Sequence, residues 1–168
     1  MGDIEKVKEV FMKHIHERRS QCPINFSLEM LGDAWSLLII RDIIYYGKKT
    51  YGEFLEAGEG IARNILADRL VQLQQKGLLT KQSHPTDRRK DMYELTTDGL
   101  DVIPILLDMA EWGATHAAAT NAPWAWLEAV RAHREEIIQL IRTTVQNGGS
   151  IFTGPESVVD KLSVKGLI

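Results

Sequence analysis

Two polar side chains, Arg63 and Asn64, stand near the start of an apolar helical pattern and have the chemistry to recognise DNA bases. Arginine can donate two hydrogen bonds to guanine, and asparagine can form two with adenine in the major groove. Apolar residues return every three or four positions and predict an amphipathic helix within residues 58–79 that stops at Gly77. Such a helix would present small and polar groups to DNA. The alternative is that both side chains are ordinary solvated surface.

Two charged residues further along the same helix leave their roles open. A carboxylate at Asp68 is unfavourable near phosphates unless it accepts a hydrogen bond from cytosine or pairs with a nearby base. Arg69 either bridges to a phosphate or holds Glu53 or Glu56 of the preceding helix, and the sequence favours neither. We retain both residues as candidate DNA-binding positions.

A second basic cluster consists of Arg88, Arg89 and Lys90, which follow a Pro-Thr-Asp turn. The segments on either side, residues 78–84 and 90–96, have strand character, so the pattern predicts a β-hairpin with a charged tip. A hairpin holds the three cations together at one edge, as the wing of a DNA-binding domain does. The alternative is a solvated turn.

The charge of the chain is unevenly distributed. Its formal net charge is -3, yet residues 48–90 carry nine basic and five acidic side chains. This split is typical of a protein that contacts phosphates through one patch while the rest of its surface stays acidic. Within the patch, Lys48, Lys49 and Tyr51 are predicted to contact the DNA backbone, where contacts fix position without reading sequence.

The remaining pattern predicts the helices that position these residues. Asp33 is the expected N-cap of one of them, and Pro104 requires either a kink or a first-turn position in another. The last nineteen residues have no assignment. The predicted helices cover residues 3–20, 25–31, 34–46, 51–57, about 98–119 and 124–145.

This order of elements predicts a mainly α fold with a small β-hairpin, a winged helix-turn-helix with helical extensions at both ends. We divide it into an N-terminal helical arm (1–21), a DNA-binding domain with a dimerisation helix (22–119) and a C-terminal helical extension and tail (120–168). Long flanking helices with exposed apolar stripes are expected to pack on a second copy, giving a homodimer.

Several function classes lack support in the sequence. The longest apolar run is too short to span a membrane, so we expect a cytoplasmic protein with no membrane partner. His14 and His16 would point to different faces of a helix, and no ligand set completes a metal site. Neither a catalytic constellation nor a phosphate-binding glycine loop is present, so we expect no catalytic residues, no cofactor and no enzyme activity.

Several motifs, in order, resemble the HxlR family of bacterial winged-helix transcriptional regulators. The resemblance implies homodimers that bind palindromic operators in double-stranded DNA, with the reading helix in the major groove and the wing near the adjacent minor groove. It covers about residues 22–112. The motifs are CPI at 22–24, LGDAWSLLIIRD at 31–42, GKKTYGEF at 47–54, GI at 60–61 with DRL at 68–70, and PTDRRK at 85–90 followed by YELT at 93–96.

The chain departs from the family at Ala62, where many members have a serine that can cap the reading helix and touch a phosphate. Arg63 and Asn64 are then the expected donors. The resemblance also suggests a redox or electrophile sensor at Cys22, since some members use the cysteine before this proline in that way. Arg18 and Arg19 and a nearby helix N-terminus would favour its thiolate. The alternative is a small buried packing residue.

Trp112, Trp124 and Trp126 lie near the junction of the last two predicted helices. They belong either to the core or dimer interface, as apolar residues at helical spacing usually do, or to an aromatic-lined pocket for a small-molecule effector. We therefore expect a sequence-specific transcriptional regulator, more specifically a repressor, that responds to a small molecule or an oxidant. The alternative is a winged-helix module that binds another protein and not DNA.

Overall fold

The computed structural model describes residues 20–117 and 119–168. The helix expected over residues 3–20, and the arm assigned to residues 1–21, lie outside these ranges except for their last one or two residues. The elements are α1 (Pro23–Leu31), α2 (Ala34–Tyr46), α3 (Tyr51–Leu55), α4 (Arg63–Gln75), β1 (Leu79–Ser83), β2 (Asp91–Leu95), α5 (Thr97–Leu100), α6 (Ile103–His116), α7 (Trp124–Ala132), α8 (Arg134–Gln146) and α9 (Val158–Val164).

The chain forms two compact units. Of the described residues, the first contains 20–40 and 49–98, and the second contains 41–48, 99–117 and 119–168. In the first unit, helices precede an antiparallel β1–β2 hairpin whose register runs from Leu79 opposite Leu95 to Ser83 opposite Asp91. This is the predicted mainly helical fold with a two-stranded wing.

Helix ends follow local sequence signals. The Asp33 carboxylate accepts a hydrogen bond from the Ser36 amide (2.7 Å) at the start of α2, as predicted. Gly47 and Gly77, with φ of 67° and 72°, adopt the left-handed conformation just after α2 and α4. Glycine reaches this conformation without the steric penalty that a Cβ atom brings, so both helices stop where the sequence predicts.

Several predicted helices have different bounds in the structure: α1 begins at Pro23 and not at residue 25, and α3 ends at Leu55 and not at residue 57. Helix α4 begins at Arg63, later than the start of the 58–79 stretch, because the chain turns at Gly60 (φ 68°) before the helix begins. The helix expected over residues 98–119 is two helices, α5 and α6. Pro104 lies in the first turn of α6, where its missing amide hydrogen costs nothing, and this was one of the two predicted placements.

The second unit has one break and one helix that the sequence pattern did not predict. The helix expected over residues 124–145 is divided at His133, whose φ of -129° and ψ of 39° are not helical. The tail folds into α9. Its preceding segment is held by hydrogen bonds from the amides of Ile151 and Phe152 to the carbonyls of Ile44 and Tyr45 (2.9 and 3.0 Å).

The tail belongs to the core of the second unit. Ile137, Ile141, Ile151, Val158 and Leu162 are all fully buried. None of the helices in the described ranges is long and apolar enough to cross a membrane.

Candidate nucleic-acid interface

The orientation of α4 is set by three leucines on one of its faces. Leu66, Leu70 and Leu73 are at most 1% exposed, so this face lies in the core of the first unit. Because a helix turns once every 3.6 residues, the opposite face carries the residues spaced four, three and four positions apart from Asn64. They are Asn64, Asp68, Val71 and Gln75, all exposed.

Val71 and Gln75 were not predicted as DNA-binding residues, but they lie on the same exposed stripe of α4 as Asn64 and Asp68. The apolar side chain of Val71 is 50% exposed on this solvent-facing side of the helix. In a major groove an apolar side chain can contact the methyl group of thymine. Val71 could therefore take part in base recognition beside Asn64. The helical spacing from Asn64 could have identified Val71, but the prediction considered only side chains that form hydrogen bonds.

Arg63 and Asn64 occupy the first turn of α4 with their side chains exposed. Neither side chain forms a hydrogen bond or ion pair with another residue in the described ranges. Ala62 is the N-cap residue and provides no side-chain hydrogen bond, as its methyl side chain requires. The Tyr51 hydroxyl donates to the Arg63 carbonyl (2.8 Å). Tyr51 thus fixes the start of α4, and its phenolic proton is already committed.

Arg69 is half-buried and anchors α4 to the start of α2. Its Nε lies 2.8 Å from Oδ2 of Asp33, and its guanidinium also pairs with Asp68. The alternative pairing with Glu53 or Glu56 is not formed. Asp68 accepts a second hydrogen bond from the Gln72 side chain (2.8 Å). The Arg69 guanidinium offsets part of the negative charge of Asp68, and the neutral Gln72 amide supplies a hydrogen bond, so this carboxylate can lie near phosphates at lower electrostatic cost.

Asp33 links two helices through one carboxylate. Burial on its own raises the pKa of Asp33, but the hydrogen bonds from Ser36 and the nearby Arg69 guanidinium outweigh it and hold the pKa below its usual value. The folded state therefore favours ionised Asp33. The ion pair to α4 depends on that charge, whereas the N-cap of α2 needs only a side-chain oxygen that accepts the Ser36 amide.

The wing tip is organised by His84 and Asp87. His84 Nδ1 accepts hydrogen bonds from the amides of Thr86 and Asp87 (3.3 and 3.2 Å), and its own amide donates to the Lys90 carbonyl (2.9 Å). The Asp87 carboxylate pairs with Arg89 (Nε to Oδ1, 3.0 Å), and hydrogen bonds from Arg89 lower the pKa of Asp87.

The three basic residues of the tip therefore differ. Arg89 pairs with Asp87, and the Lys90 ammonium lies 4.0 Å from the same carboxylate. Arg88 is exposed and forms no hydrogen bond or ion pair with another residue in the part of the chain that is described. Arg88 is thus the tip cation with the fewest competing contacts.

The two lysines before α3 also have partners. The Lys49 ammonium lies 3.4 Å from Glu94 on β2, and its carbonyl accepts the Tyr93 amide (2.8 Å). Lys48 belongs to the second unit, where its ammonium pairs with Asp42 (3.0 Å), a carboxylate residue only 2% exposed. Because a buried carboxylate needs a counter-charge, Lys48 has a structural role in addition to its predicted one.

Cys22 is exposed and occupies the N-cap position of α1, so its sulfur lies at a helix N-terminus. The alternative of a buried packing residue is wrong. Of the three tryptophans, Trp126 is buried at 3% exposure, whereas Trp112 and Trp124 are 67% and 52% exposed. Of these three tryptophans, only Trp126 is therefore a core residue.

Comparison with known proteins identifies the family to which the chain is related. The model of the HxlR-like helix-turn-helix family matches residues 30–121. The chain belongs to this family. YybR of Bacillus subtilis, an uncharacterized HTH-type transcriptional regulator, is 30% identical over 104 residues, which are 62% of this chain and 82% of YybR. The family and its named relatives are transcriptional regulators, not enzymes.

Two solved structures share the fold. A MarR-family protein from Porphyromonas gingivalis W83 matches with a TM-score of 0.52 and 33% identity, over 58% of this chain and 94% of that one. The redox regulator HypR in its reduced form matches with a TM-score of 0.50 and 26% identity, over 56% of this chain and 92% of that one. The winged helix-turn-helix fold is therefore shared with regulators of the MarR and HxlR type.

Replacing Asp33 by Asn should lower the free energy of unfolding at neutral pH by roughly 0.5–1 kcal/mol, because an amide can still cap α2 but cannot pair with Arg69. The pKa of folded Asp33 is depressed, so its charge stabilises the fold above the unfolded pKa of about 3.9. That stabilisation is lost as the pH falls through the folded value. Urea unfolding of both proteins between about pH 7 and pH 2 measures the difference. A difference that does not shrink at acid pH would contradict this assignment.

Proposed function

We propose that the chain is a sequence-specific transcriptional repressor that occupies a palindromic operator as a homodimer. The observation that carries the proposal is the exposed stripe of α4, in which Asn64, Asp68 and Val71 face away from the buried leucines. Donors, an acceptor and an apolar group on one helix face are what base recognition in a major groove needs. Such a regulator acts where the chromosome lies, in the cytoplasm.

The proposed roles divide between base contacts and phosphate contacts. Arg63 and Asn64 are exposed in the first turn of α4 without side-chain partners, so both are proposed to read base edges. Arg88 at the wing tip is proposed to contact a phosphate of the adjacent minor groove, with Arg89 and Lys90 in support. Lys48, Lys49, Tyr51 and Arg69 are proposed to act mainly by positioning, because each already has a partner within the protein.

The homodimer is supported by an apolar stripe on α6. One face of this helix is buried in the second unit, but Ile105, Met109 and Trp112 on another face are 39%, 48% and 67% exposed. Their spacing of four and three residues places them in one row, and Trp112 stacks on His116 with ring centroids 4.5 Å apart. An exposed apolar row on one helix face favours burial against a second copy. We also propose that residues 22–119 form the DNA-binding domain with its dimerisation helix, and that residues 120–168 form a C-terminal extension and tail.

Arg63→Ala and Asn64→Ala should each weaken operator binding by about 1–3 kcal/mol and relax the base preference at one operator position. Fluorescence anisotropy with the operator and its single-base variants measures both effects. Arg131→Ala is the matched control, because it removes the same charge from a surface pair with Glu111 in the second unit. Unchanged affinity and base preference in the two α4 variants would refute their assignment to base reading.

Met109→Glu should shift the protein from dimer to monomer, because it places a charge in the centre of the α6 stripe, and burying an unpaired charge is costly. Sedimentation velocity across a concentration series measures the shift. Thr143→Glu, an equal charge change at an exposed position of α8, serves as the control. If the Met109 variant stays as dimeric as the control, the dimer interface lies elsewhere.

The proposed response to oxidants rests on Cys22. Its sulfur is exposed at the start of α1 and is therefore accessible to a small oxidant. With hydrogen peroxide, the thiolate sulfur forms a bond to one oxygen while the oxygen–oxygen bond breaks and hydroxide leaves. The product is a sulfenic acid, which a thiol can reduce again.

Cys22→Ser should abolish any loss of operator binding caused by peroxide, because a serine hydroxyl cannot be oxidised to a sulfenic acid. A mobility-shift titration before and after peroxide measures the response. Dimedone labelling, which reports sulfenic acid and not methionine oxidation, shows whether the cysteine has reacted. A Cys22→Ser protein that still responds like the parent would remove Cys22 from the mechanism.

A further inference from the structure

A pocket of about 370 Å³ opens in the second unit, between the end of α2, the end of α8 and the loop before α9. Apart from Tyr46 and Gly47, the residues that line it lie between 144 and 161, beyond the range matched by the family model. None of the three tryptophans considered above lines it. The volume lies within the range typical of small-molecule sites.

The pocket lining includes one cation, Lys161, that lacks an anionic partner. Its side chain is half-buried, and its ammonium donates one hydrogen bond to Oγ1 of Thr144 (3.2 Å). Within the described residues it pairs with no carboxylate. An ammonium has three protons to donate, and a charge partly removed from water is costly unless it is paired. The remaining donor capacity of Lys161 therefore favours an anionic group in the pocket.

The same lining includes one anion, Glu156, in an unusual backbone conformation. Its φ of 62° makes it the one non-glycine residue with positive φ in the described ranges. Glutamate rarely adopts this conformation, and such residues concentrate at functional sites. Glu156 forms no hydrogen bond or ion pair with another described residue. Glu156 and Lys161 thus line one pocket without neutralising each other.

The wall of the pocket is held by a dense set of hydrogen bonds around Ser150. The Ser150 hydroxyl lies 2.7 Å from the Thr153 carbonyl and accepts the Thr153 amide (3.0 Å). The Thr153 hydroxyl donates to the Tyr46 carbonyl (2.7 Å). At Gly149 a Cβ atom would lie 2.8 Å from the Thr144 side chain, so a larger residue there would displace Thr144. The pocket is therefore formed before any ligand arrives, which lowers the entropic cost of binding.

We propose that this pocket binds a small zwitterion of the amino-acid type, with its carboxylate at Lys161 and its ammonium at Glu156. A simple anion would meet the Glu156 carboxylate, and a simple cation would meet the Lys161 ammonium, so both are disfavoured. The polar groups of Thr144 and Asn147 and the ring of Tyr46 complete a mixed polar and apolar lining. The inference goes beyond DNA binding and does not depend on it.

Isothermal titration calorimetry of the 168-residue chain, without DNA, tests the proposal. The probes are the free L-amino acids, with acetate and ethylamine as single-charge controls. At least one amino acid should bind saturably below about 10 mM, whereas acetate and ethylamine should bind at least about tenfold more weakly. Binding of none of the amino acids, or equal binding of acetate, would overturn the proposal.

Substitutions then locate the binding. Lys161→Met and Glu156→Gln should each weaken binding at least about tenfold, since each removes one charge of the pair. Lys165→Met is the matched control: Lys165 follows α9 as its C-cap residue but pairs with Glu136 (2.7 Å) and does not line the pocket. Circular dichroism confirms that each variant is folded. If both pocket variants bind the amino acid like the control, the site lies elsewhere and the proposal is wrong.

Discussion

The burial of Leu66, Leu70 and Leu73 is the constraint on which the rest of the first unit depends. All three are essentially inaccessible to solvent, and each contributes about 1.5–3 kcal/mol when fully buried. Rotating α4 by one residue would expose part of this face, so the rotation of the helix is strongly fixed. The helical period then determines which residues face outwards. The burial of the three leucines therefore places Asn64, Asp68, Val71 and Gln75 on the exposed stripe of α4.

Polar contacts fix the remaining freedom of α4, its position along its own axis. Tyr51 holds its first turn, Arg69 holds its middle to Asp33, and the Lys76 ammonium donates to the carbonyls of Glu29 and Met30 (3.1 and 2.9 Å) at the end of α1. Burial lowers the pKa of Lys76, with Asp33 opposing that effect. Several charges within residues 48–90 thus support the helix, whereas the side chains of Arg63, Asn64 and Arg88 form no hydrogen bond or ion pair with another described residue.

Local signals explain how much of the fold the sequence could predict. The ends at Gly47 and Gly77, the Asp33 cap and the hairpin depend on residues close to one another in the chain, so pattern and turn chemistry suffice. The break at His133 and helix α9 depend on packing within the second unit, where the amide of Ile151 reaches the carbonyl of Ile44. The partner of Arg69 and the pocket at Lys161 likewise come from residues distant in sequence, which periodicity cannot bring together.

The salt dependence of binding to the DNA that flanks its own gene tests the central claim most directly. A regulator that contacts phosphates releases counterions, so the logarithm of its association constant should fall linearly with the logarithm of salt concentration, by about 0.9 per phosphate contacted. We expect a slope that corresponds to several contacts in mobility-shift or anisotropy titrations. No binding at low salt with micromolar dimer, or an affinity that salt does not change, would contradict the account and favour a protein-interaction module.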